Sequence, residues 1–587
     1  MGEPPAGSAG ARGSRGAGDR GGAGPEGTGG AGGRSGWTRR DLLARVGMAG
    51  GAAALYETMV ALGLLRTPPA YAGAPRPQRM GGGKSVLVLG AGIGGLTAAY
   101  ELQKAEYQVE VLEAAERAGG RSFTVRRNDV IEQAGLPDQT CRFDAGLYFN
   151  AGPGRIPYHH QALIGYCRDF GVELEVYVME DRAAPFQTDK AFAGKPVHDR
   201  QVANDTRGYI AELLAKAIDK RALDDELGAG ERRDLLALLA VFGDVDPDEH
   251  YKYGGSSRSG YQVPPAVVEP GEIQPPLPLR ELLASRFWDH RFYQPEDYEW
   301  QATMFQPVGG MDQVVRAFER RVGAERITRG AEVVKVETSA TGVQVTIRRR
   351  GKGSAPEVKK ADYCISTIPL PLLRKLIDND SFAADFKSAV AAARFEAAAK
   401  VGWQAEQRFW ESPSNQVYGG ISWIDHPITQ FWYPSSGFLG AKGVLTGAYN
   451  YADTARKFGA LPLDQRLMLA TQGAERLHPE FLKHVKTELG LSIAWQQVPH
   501  QQGGWADWDW SKSEQAAAYD RLLAPDKRFF VCGDQVSYLS GWQEGAILSA
   551  HHVVRQLTAA APPLVVAPKI APRRAPRTRR IVGADVR

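Results

Sequence analysis

No two cysteines in this 587-residue sequence stand at C-x-x-C spacing, which removes zinc-ribbon and dithiol redox sites from the reading. There are four cysteines in all, Cys141, Cys167, Cys364 and Cys532. Cys364 and Cys532 lie in apolar, strand-like runs and read as core packing; disulfides are neither demanded nor excluded. An excess of one charge sign is also missing. The net charge is +4, and Lys569, Arg573, Arg574, Arg577, Arg579, Arg580 and Arg587 face one acid, Asp585, at the carboxyl end, so the rest is close to neutral. No basic face for nucleic acid follows for the folded part, and residues 559–587 read as a disordered basic tail.

No permanent membrane anchor is expected either. The apolar stretch from Val46 to Leu65 contains seven glycines and alanines between Gly47 and Ala54, and an acid, Glu57. That is too weakly apolar for a lasting span. It follows Thr38-Arg39-Arg40-Asp41-Leu42-Leu43 and precedes Ala70-Tyr71-Ala72, an A-x-A cleavage pattern. This order is that of a twin-arginine export signal, so residues 1–72 are expected to be removed and the mature chain, beginning near Gly73, to be periplasmic or secreted.

What is present begins at Lys84. Val86 to Leu89 is a continuous apolar run, as for a buried parallel strand. Gly90-Ala91-Gly92-Ile93-Gly94-Gly95 satisfies G-x-G-x-x-G, and Leu96, Ala99 and Leu102 then share one helical face. A second strand, Gln108 to Leu112, ends at Glu113, 18 residues after Gly95. Gly90 permits the tight turn, Gly92 the approach of a pyrophosphate, and Gly95 close helix–strand packing. The helix start offers free N–H groups to phosphate, and Glu113 accepts from ribose hydroxyls.

The next segment, Arg117-Ala118-Gly119-Gly120-Arg121, resembles the R-x-G-G-R extension of the flavin monoamine oxidase and L-amino-acid oxidase family, whose nucleotide is FAD. The resemblance runs from Ser85 to Leu557, weakest between about 180 and 300. It implies an α/β (α+β) fold: a discontinuous Rossmann-like FAD-binding domain (84–156, 301–370, 525–558), a mixed-sheet substrate domain (371–524) and a helical, substrate-access region (157–300). It places Gly120, Arg121, Gly533 and Asp534 at the diphosphate and ribityl chain, Val333 at adenine, Gly545 and Ala546 at the flavin edge with Trp542 beside the flavin face, Gly152, Gly154 and Arg155 along the cofactor, and Gly541 at the substrate. Gly504 takes the place of the cysteine that carries covalent flavin in monoamine oxidases, so non-covalent FAD is expected.

Substrate class rests on Gly152-Pro153-Gly154-Arg155-Ile156-Pro157, which resembles the G-P-M-R-[IL]-P segment of L-amino-acid oxidases with Gly154 in place of Met. There the arginine grips the α-carboxylate, as a planar guanidinium can through two parallel hydrogen bonds. By the same resemblance Tyr433 is the second half of the clamp, and Lys400 holds a water beside the flavin; Trp505 and Trp542 form an aromatic wall. No metal is expected, and His159-His160 and His551-His552 read as packing or surface residues. The implied reaction takes an L-amino acid and molecular oxygen to a 2-oxo acid, ammonia and hydrogen peroxide. An amine or polyamine oxidase, a decarboxylating amino-acid monooxygenase and a non-catalytic flavin-binding protein remain alternatives.

Helical spacing predicts helices over Gln161 to Phe170 and Thr206 to Lys220, and period-2 alternation predicts strands at Val333 to Val336, Val343 to Ile347 and Val444 to Tyr449. A proline-rich excursion from Gly254 to Pro278 is expected to shape substrate access or a homodimer contact.

Overall fold

The computed structural model describes residues 73–223, 226–351 and 355–559; the segment read as an export signal and all but the first residue of the basic tail lie outside them. Within them, no helix is long and apolar enough to cross a membrane, and all four cysteines are buried free thiols.

Five parallel strands make the nucleotide sheet, in the order Ile327–Thr328, Gln108–Leu112, Ser85–Leu89, Tyr363–Ser366, Phe529–Val531. Their distance in sequence is the discontinuity expected of this fold. Each strand is short and apolar because both faces are covered. The helix Ile93–Lys104 packs against the last helix, Gln543–Thr558, and against Gln313–Val322. The first contact is tight: a β-carbon on Gly94 would stand 3.2 Å from Gly533 Cα and 3.3 Å from the Ala546 carbonyl oxygen. Beside this sheet lies an antiparallel one of Ala331–Thr338, Val343–Arg349 and Glu357–Ala361, with Val343, Val345 and Ile347 turned inward.

The second large sheet has seven strands, ordered Val197–His198, Pro185–Gln187, Ile421–Ile424, Gln430–Trp432, Gly443–Tyr451, Ala398–Ala405, Leu491–Ala494. All pairings are antiparallel except Ile421–Ile424 with Pro185–Gln187. The strand Ala398–Ala405 is buried throughout. Ala399, Val401, Trp403 and Ala405 face one core with Phe431 and Tyr433, so period 2 turns Ala398 and Lys400 to the opposite side, toward the nucleotide sheet.

A small sheet of Ile156–Pro157, Met304–Pro307 and Leu174–Tyr177 packs on the second sheet, Tyr177 and Met304 sharing a core with Trp423 and Trp432. Both Pro157 and Tyr177 pair with Met304, which brings Arg155 and Tyr177 to one end of it. The helix Gln161–Phe170 has the expected bounds, whereas the next runs from Asp199 to Asp219. Its first turns, with Asp199, Gln201 and Asp205 buried, carry polar residues on the inner face and so hide the apolar period. The Gly254–Pro278 excursion contains a hairpin, Tyr261–Val263 with Glu272–Ile273.

Candidate functional site: a cavity between the two sheets

A cavity of roughly 370 Å³ runs from the nucleotide sheet to the face of the second sheet that carries Lys400. At its first end the chain turns at Gly90 (φ +101°), where a β-carbon would meet Thr367 Oγ1 at 2.4 Å. Gly95 lies outside the lining and closes helix on strand: its β-carbon would stand 2.1 Å from the Gly90 oxygen. Gly92 borders open space, since a β-carbon placed there would have no atom within 4 Å, and the helix that follows has neither an acid in its first turn nor a side-chain cap. Its N–H groups are therefore left for an anion. Glu113 accepts from the Ala91 N–H at 2.7 Å and the Ala115 N–H at 2.9 Å, and burial raises its pKa against these bonds.

Gly120, Val333, Gly533, Gly541, Trp542 and Ala546 also line the cavity. The ladder of Val333 slips before Lys335, which takes Val334 out of register at that wall. Arg121 lines the cavity too and is held there by other segments. Its guanidinium forms a two-pronged pair with Asp534 and donates to the Gly504 carbonyl, while Asp534 also accepts from the Gly541 N–H at 2.9 Å. Arg121 thus fixes three lining segments to one another, because a buried Asp534 needs a counter-charge. Gly152 is compelled by this packing: a β-carbon would lie 1.8 Å from the Arg121 carbonyl oxygen.

At the other end, Lys400 is 3% exposed. Its Nζ donates to the Gly152 oxygen at 2.6 Å and the Asn150 oxygen at 3.1 Å, and lies 4.8 Å from the ring centroids of both Trp432 and Tyr449. Burial, and then the charge of Arg155, lower its pKa to about 7. Arg155 sits just behind the lining, 8% exposed, with Cζ 4.7 Å from the Trp432 ring and 6.0 Å from that of Tyr177. Among the described residues no carboxylate pairs with it. Arg155 Nε and Tyr177 Oη are both buried without a hydrogen-bond partner. Burial pushes the Tyr177 phenol up to about 12, against the pull of Arg155.

Tyr433 does not join this group. Its hydroxyl bonds Ser422 Oγ at 2.8 Å and His478 Nε2 at 2.6 Å inside the far core of the sheet. Strand alternation is the cause: after Trp432 turns toward Arg155, Tyr433 must turn away. Tyr433 and Gly154 border a second cavity of about 420 Å³, which Lys400 also touches. The aromatic faces at the first cavity are Trp495, Trp505, Trp542 and Tyr449, with Trp432 behind Lys400. Gly541 lies under Trp505, its β-carbon position 3.3 Å from that ring.

His160, read from sequence as surface or packing, is 1% exposed and meets Trp542 edge-on, ring centroids 5.0 Å apart. Trp432, Tyr449, Tyr177 and Glu299 were not singled out by sequence. The one available signal was the run Phe431-Trp432-Tyr433, in which either aromatic could face the site until the strand's phase is known.

A parallel nucleotide sheet and a mixed sheet enclosing one cavity define a dinucleotide-binding enzyme with a sheltered reaction site. The profile of the flavin containing amine oxidoreductase family matches residues 93–558, and the chain belongs to that family. It is 26% identical over 496 residues to the flavin-dependent L-tryptophan oxidase RebO of Lentzea aerocolonigenes (81% of this chain, 98% of the relative). It is 25% identical over 500 residues to the putative L-amino-acid oxidase YobN of Bacillus subtilis (81% and 94%), and 24% over 505 residues to an L-amino-acid oxidase of Pseudechis australis (82% and 88%). Among solved structures, a putrescine oxidase superposes with TM-score 0.53 at 18% identity and the cyclohexylamine oxidase of Brevibacterium oxydans with 0.52 at 16%, each over 81% of this chain and 99% of the other. The cavity fits the flavin that the family name implies: free helix N–H groups stand at Gly92, and glycines remove side chains where the walls close in.

Proposed function

We propose that the protein catalyses FAD-dependent oxidative deamination of L-amino acids, yielding a 2-oxo acid, ammonia and hydrogen peroxide. The observation that carries this reading is Arg155, a buried guanidinium paired with no carboxylate of the described residues. Burying an uncompensated charge is costly, and a substrate carboxylate supplies the missing partner. The relatives named for oxidation of amino acids agree with it.

FAD would lie along Gly90, Gly92, Glu113, Gly120, Gly152 and Val333, with Gly533, Asp534, Trp542 and Ala546 closing the other side. When bound, the flavin accepts a hydride from the amino-acid α-carbon and passes electrons to oxygen. The protein does the rest. Arg155 and the Tyr177 hydroxyl hold the carboxylate, which fixes where the α-hydrogen points. Trp432, Trp505, Trp542 and Tyr449 exclude water and leave the amine in an apolar enclosure that favours its neutral form. Lys400 directs two donors to Asn150 and Gly152, so its remaining direction, an N–H when protonated and a lone pair when neutral, is free to hold a water in the cavity. Non-covalent attachment is part of the proposal, since no cysteine lines the cavity.

A peroxide assay of the purified protein against the twenty L-amino acids, their D forms and their decarboxylated amines tests the reading. Turnover of L-amino acids with one ammonia per peroxide is expected. Oxidation of amines alone would replace it by an amine oxidase, and an amide with carbon dioxide by a monooxygenase. Twin-arginine export and a homodimer are proposed with it; fractionation of the producing cells and light scattering of the purified chain address them.

A further inference from the structure

His159, His160 and Glu299 stand together outside the machinery described above. The histidines lie between the strand Ile156–Pro157 and the helix Gln161–Phe170, and Glu299 lies in a turn, Tyr298–Trp300, more than a hundred residues on. Both imidazole Nε2 atoms approach the same oxygen, Glu299 Oε2, each at 3.1 Å, and all three atoms fall within 4.8 Å of one another. We propose that these three side chains form a binding site for one divalent cation of the zinc class, one ring removed from the flavin cavity and directly against Trp542.

Four observations lead there. The donor set, two imidazoles and one carboxylate, is the type that zinc selects when one position is kept for water. Ligands about 2.0–2.1 Å from a tetrahedral metal stand about 3.3 Å from each other, close to the 3.1 Å found on two edges of the cluster. The site is also prearranged: Tyr298 stacks on His159 with centroids 4.1 Å apart, and Trp542 holds His160 edge-on at 5.0 Å. The two imidazole nitrogens, within 4.8 Å of each other, would draw together on a shared ion. Finally, the only partners among the described residues that balance the carboxylate are titratable imidazoles. Among the described residues no lysine or arginine pairs with Glu299, a half-buried carboxylate whose partners are the two histidines. A metal would supply a positive charge that does not depend on imidazole protonation and tie Trp300, whose ring lies 5.9 Å from Trp542, to the segment that carries Arg155.

The test reads metal rather than turnover, so it stands or falls separately from the substrate assignment. Untagged, flavin-loaded protein is stripped with chelator, equilibrated with zinc chloride, and its zinc content measured by mass spectrometry. About one zinc per chain is expected in the wild type and in His250→Asn, a control at an exposed histidine. Glu299→Gln and His159→Gln should lose affinity by ~100-fold or more, with flavin content unchanged. His160 is deeply buried, so Glu299→Gln, partly exposed and isosteric, keeps the test usable if His160 variants fail to fold. Zinc absent from the wild type, or equal zinc in wild type and Glu299→Gln, overturns the proposal.

Discussion

A β-carbon on Gly154 would stand 2.7 Å from Cζ3 of Trp432, and the Trp432 ring lies 4.7 Å from the Arg155 guanidinium carbon. The missing side chain at 154 is thus the room in which Trp432 rests, and Trp432 in turn steadies Arg155. Gly154→Ala needs no backbone strain but forces the indole aside. The expected result is a KM for the best L-amino acid raised ~10-fold, about 1.4 kcal/mol, with flavin content unchanged. Unaltered kinetics would mean that the ring moves without disturbing the guanidinium.

Arg155 should separate amino acids from amines. Arg155→Gln removes a charge-assisted, bidentate contact, which on general grounds lowers kcat/KM for amino acids on the order of 10²–10³-fold. Decarboxylated amines have nothing to lose there, so any activity toward them should persist or rise. Arg155→Lys keeps the charge but not the fork and should recover a part. An equal loss on both substrate classes would point to misfolding or to a different role.

The parts of this architecture that were legible in the sequence are those with their own local grammar. Gly90 to Glu113 carries turn, helix start and acid at fixed offsets, and the alternation of Val343, Val345 and Ile347 announces one buried face. The substrate end has no such grammar. Whether Trp432 or Tyr433 meets the ligand depends on the phase of a three-residue strand, which is set by its neighbours Ile421–Ile424 and Gly443–Tyr451 rather than by its own residues. Lys400 sits in a strand buried on both faces, a place where composition alone argues against lysine. Glu299 reaches His159 across 140 positions, a pairing that no local pattern contains.

The two tyrosines should behave oppositely. Tyr433→Phe leaves Ser422 and His478 without their shared partner in a dry core, and should cost about 1–3 kcal/mol of stability while KM changes less than twofold. Tyr177→Phe removes a hydroxyl that makes no well-formed hydrogen bond and whose charged neighbour is Arg155. It should leave unfolding nearly unchanged and raise KM several-fold. Urea unfolding and steady-state kinetics on the two variants distinguish these roles, and the reverse pattern would return Tyr433 to the carboxylate.

Lys400 makes stability and activity depend on pH in a direction that can be worked out. Its pKa falls from an ordinary value of 10.5 to about 7 on folding, because burial and the Arg155 charge disfavour the ammonium. Between about pH 7 and 10.5 the unfolded chain therefore holds a proton that the folded chain has released. Stability from this residue rises with pH across that window, by about 1.4 kcal/mol per unit well inside it, and is lost as pH falls to 7. Lys400→Met lacks this slope, so urea unfolding at pH 7, 8 and 9 should show the two proteins diverging in favour of the wild type as pH rises. In kcat/KM the same group should appear as an inflection near pH 7 that Lys400→Met abolishes. Because Arg155 is the second cause of the shift, Arg155→Gln should move that inflection upward; parallel stability slopes in wild type and Lys400→Met would remove the buried lysine from the account.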